Sequence, residues 1–159
     1  LFSNAAKGEE MGTVVVFKID EQRLALPVTR VQRVIWAVEI TALPGQNENM
    51  LGMINVEGKI IPVLNIRHLL GLAERELDLD DHIVIVEVEA KQLSFVVDLV
   101  EGVLHYQQDD LSALSENSSS YAQSVLKQEG ELIVILNPAQ LTAQTMPPNN
   151  SKEMLAGIN

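Results

Sequence analysis

The chain repeats itself, and that repeat limits its folds more than any other feature. Slid along itself by 69 residues, the segment 14–37 falls on 83–106 without a gap. Val15 then meets Val84, Leu24 meets Leu93, Val31 meets Val100 and Val34 meets Val103. Slid by 72 instead, residues 53–69 fall on 125–141, again ungapped. Here Glu57-Gly58 meets Glu129-Gly130 and Leu64-Asn65 meets Leu136-Asn137. Two matched segments in one order, with shared turn residues, indicate an internal duplication. Two copies are too few for a solenoid, so they predict two like subdomains related by a pseudo-two-fold.

Each copy reads as strands. Residues 13–19 and 22–26 are rich in β-branched and aliphatic side chains around Asp20-Glu21, which predicts a hairpin. Residues 83–88 and 92–97 repeat it across Glu89-Ala90, and 30–37 and 99–106 each supply a third strand. Residues 27–32 leave room for a helical turn between. A second hairpin, 53–56 with 59–64, turns at Glu57-Gly58, where glycine accepts the positive φ of a tight turn. Residues 124–128 and 131–136 repeat that hairpin across Glu129-Gly130. A short helix follows each: Asn65 caps one that Gly71 ends, and Asn137-Pro138 opens the other. Five strands per copy suit a small barrel. The expected fold is therefore mainly β, with two five-stranded barrel subdomains and short helices. The expected divisions are residues 13–75 and 76–145, with polar tails at 1–12 and 146–159.

Composition narrows the function. Hydrophobic residues make up 47% of the chain but aromatic ones only 4%, so the core must be Val, Ile and Leu. Lys and Arg number 11 against 22 Asp and Glu, a formal net charge of −11. Such a chain repels phosphate backbones and anionic lipid, so nucleic acid is not an expected partner. No apolar run approaches the roughly 18 residues of a membrane span, so no membrane insertion is expected, and no signal peptide is visible. Cysteine is absent, which removes thiolate metal sites and cysteine nucleophiles.

Catalytic constellations do not stand out. His68, His82 and His105 have no helical spacing to one another and no acidic cluster beside them, so no metal is expected. Asp78-Leu79-Asp80-Asp81 lacks the glycine and distal glutamate of a calcium loop and reads as a cap leading into copy two. No phosphate-binding loop or nucleophile elbow occurs, and no cofactor is expected. Two residues carry more information. Pro62 sits inside the apolar strand 59–64, where it cannot donate to a ladder. That strand is then an edge, bulged, or open on the proline's side, and its copy-two counterpart is Val134. Trp36, the one tryptophan, belongs either to the core or to an interface.

Residues 51–67, Leu-Gly-Met-Ile-Asn-Val-Glu-Gly-Lys-Ile-Ile-Pro-Val-Leu-Asn-Ile-Arg, resemble the first signature of the CheW family of bacterial chemotaxis coupling proteins. Residues 95–103 resemble its second signature, and 121–141 its C-terminal hairpin and helix. The resemblance spans about residues 13–145. It implies two packed five-stranded SH3-like barrels in a cytoplasmic, non-catalytic adaptor. Its implied partners are the cytoplasmic tip of methyl-accepting chemoreceptors and the regulatory domain of a CheA-type histidine kinase. Family positions lining the receptor groove fall on Val31, Arg33, Gly52, Glu57, Val100 and Val103. The implied kinase-binding edge comprises Val56, Lys59, Ile60 and Pro62. The sequence departs from the family at Arg33, often glutamate there, at Glu57, often arginine, and at Asn65, usually aspartate. The doubled reversal reads either as a swapped ion pair or as a different partner set. A pilus-type or other chemosensory adaptor is the alternative reading, and a small-molecule-binding double barrel the weaker one.

Overall fold

The computed structural model describes residues 11–114 and 121–144. Among these residues eleven strands run in the order β1 (Met11–Ile19), β2 (Gln22–Pro27), β3 (Val31–Trp36), β4 (Met50–Val56), β5 (Lys59–Leu64), β6 (His82–Val88), β7 (Lys91–Val97), β8 (Leu99–Gln107), β9 (Leu111–Ala113), β10 (Ala122–Gln128) and β11 (Glu131–Leu136). Two short helices, α1 (Ile66–Leu70) and α2 (Pro138–Ala143), follow β5 and β11. Three-residue 3-10 turns lie at Val28–Arg30 and Gln108–Asp110.

The strands form two sheets, β3-β6-β7-β5-β4 and β8-β1-β2-β11-β10-β9. Replacing each strand of the first by its repeat counterpart reproduces the first five strands of the second. The duplication is thus real in three dimensions, but the division at residues 75 and 76 is corrected. Each sheet takes its central hairpin from the other copy. Barrel one joins β3, β4 and β5 to β6 and β7; barrel two joins β1 and β2 to β8 through β11. Each exchanged hairpin is held on one side by an antiparallel pairing, β6 with β3 and β1 with β8, and on the other by a short parallel one, Val63–Ser94 and Leu64–Phe95 in one barrel, Val134–Leu24 and Ile135–Ala25 in the other.

The exchange explains the unalternating apolar runs. The hairpins β1-β2 and β6-β7 are buried on both faces, as strands without alternation should be. Val14 and Val16 face barrel two's core with Ala25, Leu126, Ile133 and Ile135. Their counterparts Ile83 and Ile85 face barrel one's core with Ile54, Ile61 and Val63. The opposite faces, including Phe17, Ile19, Val84 and Val86, meet in a third core between the barrels. There Phe17 and Phe95 tilt against each other at 5.5 Å.

Turn chemistry follows the expectation. Glu57-Gly58, Glu89-Ala90 and Glu129-Gly130 all take positive φ at both positions, the geometry of tight hairpin turns. Asn65 accepts from the His68 backbone N–H, and Gly71 closes α1 at φ 73°. Strand β9 adds a sixth strand to the second sheet, one more than the five per copy read from the sequence; residues 115–120 lie outside the described residues. The expected tails do too, except that β1 already starts at Met11, paired with Gln107.

Candidate functional site

The two third strands, β3 and β8, are the outermost strands at one end of their sheets. Their positions match residue for residue across the repeat. Val31 and Val100, equivalents, are both half-buried against the core between the barrels. Val34 packs on that core as well, while its equivalent Val103 is 59% exposed. The barrels therefore each present an apolar strand face bordering the central core.

Arg33 and Glu57 meet in a two-pronged ion pair, with Nη1 to Oε1 at 3.3 Å and Nη2 to Oε2 at 3.2 Å. The guanidinium holds the Glu57 carboxyl below its ordinary range. This pair ties β3 to the β4-β5 turn across the mouth of barrel one. Val56 and Lys59 line the same mouth, around a cavity of about 260 Å³ with Gln32, Ile61, Ile85 and Gln92. Residues that the resemblance divides between two partners thus share one end of one barrel.

Gly52 lies elsewhere. It is buried, and a Cβ on it would sit 2.2 Å from the Thr41 carbonyl oxygen. Its φ of 148° is also one that side chains rarely adopt. The missing side chain lets Thr41 bridge Met53 by two backbone bonds of 2.9 Å.

Pro62 does not mark an edge. Strand β5 lies between β7 and β4, and β4 is the outer strand. β7 pairs with β5 only at Val63 and Leu64. At Pro62 the contact to β7 comes from a side chain, Ser94 Oγ donating to the proline carbonyl at 2.9 Å. A residue's N–H and C=O point to the same side of a strand, so the absent N–H faces a position where no ladder bond is needed. Of the expected edge residues, Val56 lies on the outer strand, Lys59 and Ile60 are exposed, and Pro62 is half-buried.

One cluster escaped the sequence reading. Asp98, at the crossover from β7 to β8, accepts from Arg67 Nη2 at 2.9 Å, Arg75 Nη2 at 2.6 Å and the Asp20 backbone N–H at 2.8 Å. Arg67, on α1, also reaches Asp20 and the Ala73 carbonyl. Arg75 grips the buried Asp81 with both nitrogens, at 2.9 and 2.7 Å. Burial alone pushes the Asp98 carboxyl up, but the Asp20 N–H and the two guanidiniums outweigh it and leave it lowered. The Asp81 hydrogen bond raises the Arg75 guanidinium further above its ordinary value, against the opposing effect of burial. The network fastens the β1-β2 turn of barrel two to α1 and the 71–81 connection beside barrel one. Arg67 and Asp98 both lie in the family signatures, and that shared membership was the signal.

Asp78-Leu79-Asp80-Asp81 caps the connection into β6, as expected: Asp81 accepts from the Asp78 backbone N–H at 2.8 Å. Among the described residues no group of three or more His, Asp or Glu is placed to hold a metal.

A family model described as "CheW-like domain" matches residues 13–146. The chain belongs to the CheW-like domain family. Among its relatives is "Chemotaxis protein CheW" of Thermotoga maritima, 33% identical over 126 residues, covering 78% of this chain and 83% of the relative. The protein of the same name from Bacillus subtilis is 25% identical over 134 residues, covering 82% and 84%. The solved "scaffolding protein TtCheW" of Thermoanaerobacter tengcongensis superposes with a TM-score of 0.72 at 27% identity, over 79% of this chain and 88% of that one. The CheW-like fold, two SH3-like barrels, is the one derived above. Among the described residues no helix is long and apolar enough to cross a membrane.

Proposed function

We propose that this chain is a non-catalytic, cytoplasmic adaptor that couples chemoreceptor tips to a CheA-type histidine kinase in bacterial chemotaxis. The observation that carries this reading is the matched pair of apolar strand faces, Val31 and Val34 on β3 against Val100 and Val103 on β8, one from each barrel. An amphipathic receptor helix lying between the barrels would find apolar contacts from both. The membership in a family of chemotaxis proteins and scaffolds supports it. The kinase regulatory domain would take the outer strand β4 and the start of β5. There Val56, Lys59 and the 56%-exposed Ile60 sit beside unpaired strand backbone.

Binding to a helical receptor-tip fragment and to the kinase regulatory domain tests both halves. Val103→Asp should weaken receptor binding at least tenfold and leave kinase binding unchanged. Ile60→Asp should do the reverse. Val103 is a cleaner probe than Val100, whose side chain packs on the central core. No binding to either partner well above micromolar concentration would overturn the reading.

A further inference from the structure

Ten large apolar side chains are exposed among the described residues, and four of them fall on two neighbouring segments. The end of β3 and the segment leading into β6 run together there: the Ala37 N–H donates to the Asp81 carbonyl at 3.0 Å, and Trp36 lies across from His82. Trp36, the chain's single tryptophan, is 64% exposed, Leu79 86%, and Val38 and Leu77 more than a third each. Tryptophan is enriched where protein surfaces meet partners. Trp36 is also pre-set for one, because its ring stacks on His82 at a centroid distance of 4.2 Å and 31°. A ring already held in place loses little freedom on binding. Its repeat counterpart, His105, instead bonds Thr13 at 3.0 Å, so barrel two has no such ledge.

Beside the ledge a cavity of about 250 Å³ opens, with Ile40, Leu51, Leu77 and Val96 in its wall; Arg67 and Arg75 line it too, both paired with the carboxylates of Asp98 and Asp81. Its size suits one large side chain. Around the ledge stand four exposed carboxylates, Glu39, Glu76, Asp78 and Asp80. Among the described residues none has a cationic partner. Residues 36–43 and 76–82 contain no Lys or Arg. A second copy of this chain would bring like rim against like rim, and an anionic membrane would meet the same repulsion.

We propose that this face docks a basic protein segment, one apolar side chain entering the cavity or lying on Trp36 and flanking Lys or Arg meeting the acidic rim. Trp36 sits two residues beyond Val34 on the same face of β3, so the site adjoins the β3-β8 faces at that end and is separate from the β4-β5 end.

A labelled short peptide alternating lysine and leucine serves as probe, read by anisotropy against the intact chain. Binding should shift Trp36 emission to the blue and weaken steeply with salt. Leu79→Ser, on a side chain too exposed to affect folding, and the joint change Asp78→Asn with Asp80→Asn should each weaken binding at least fivefold. The joint change Glu89→Gln with Glu129→Gln, which removes equal charge at distant turns, should alter it less than twofold. Receptor-tip and kinase binding by Leu79→Ser should stay unchanged, which separates this site from the adaptor reading. The proposal is overturned if the distant neutralisation weakens binding as much as the rim variant, or if a glutamate-leucine peptide binds equally well. Unchanged peptide binding by Leu79→Ser and by Trp36→Ala overturns it too.

Discussion

Asp98 is the joint of the molecule, and Asp98→Ala should measurably loosen it. The carboxylate accepts two guanidinium bonds and one backbone N–H. A hydrogen bond to a charged group contributes about 1.5–3 kcal/mol, so the two arginine contacts set a gross ceiling of about 6 kcal/mol. Two facts lower it. The Asp98 side chain is 29% exposed, so water replaces part of the loss, and both arginines keep another carboxylate, Asp20 for Arg67 and Asp81 for Arg75. The expected cost lies between an exposed pair, about 0.2–1 kcal/mol, and a broken buried pair, about 3–5 kcal/mol; we expect about 2–3 kcal/mol. For a chain of this size that lowers the Tm by roughly 8 °C. Urea unfolding followed by far-UV circular dichroism measures it, with the m-value unchanged. Acid gives an independent check. The folded Asp98 carboxyl titrates below its unfolded value of about 3.9, so its contribution is fully present above that pH and is lost as the pH falls through the folded value. The gap between wild type and Asp98→Ala should therefore be constant from pH 8 to about pH 5 and shrink below about pH 4. A gap under about 0.5 kcal/mol at pH 7, or one undiminished at pH 3, would refute the reasoning.

Gly52→Ala drives a Cβ into the Thr41 carbonyl and forces alanine to a φ of 148°, so it should cost about 3 kcal/mol in the same urea assay. Arg33→Glu should weaken partner binding, and adding Glu57→Arg should restore part of it in a double-mutant cycle; purely additive effects would show that the pair does not act as a unit. Residues 13–75 expressed alone should show no cooperative unfolding, because β1 and β2 would lack β8 and β11. Mixed with residues 76–145, they should regain a cooperative transition.

Most strands were legible because turns and β-branched runs are local signals. β5 and β11 occupy the predicted residues, and the other predicted strands differ from the sequence reading by no more than three residues at an end. Pairing was not legible. Self-alignment shows which segments are alike, and like segments need not be neighbours. The unbroken runs at 14–17 and 83–86 did carry a trace of the exchange, since only strands covered on both faces lack alternation. β9 escaped because three residues, Leu111–Ala113, give no period. At the site, the family resemblance offers Arg33 and Glu57 either as a swapped ion pair or as the mark of a different partner set, and the two do touch. Asp98 and Arg67 touch as well, yet 31 residues of separation hid them, and so did their uncharged repeat counterparts, Thr29 and Ala139. Trp36 was left between core and interface because a lone aromatic has no periodicity to place it; its exposure decides for the surface.

The exchanged hairpins leave neither half a finished body. A free half could complete its sheet only by trading β-hairpins with a second copy, giving a symmetric dimer whose two faces are the same. Joining both copies in one chain keeps that interlock while releasing the copies from having to match. Position by position they have since parted: tryptophan against histidine at 36 and 105, proline against valine at 62 and 134. Covalent linkage is thus what lets one scaffold carry two different versions of the same surface.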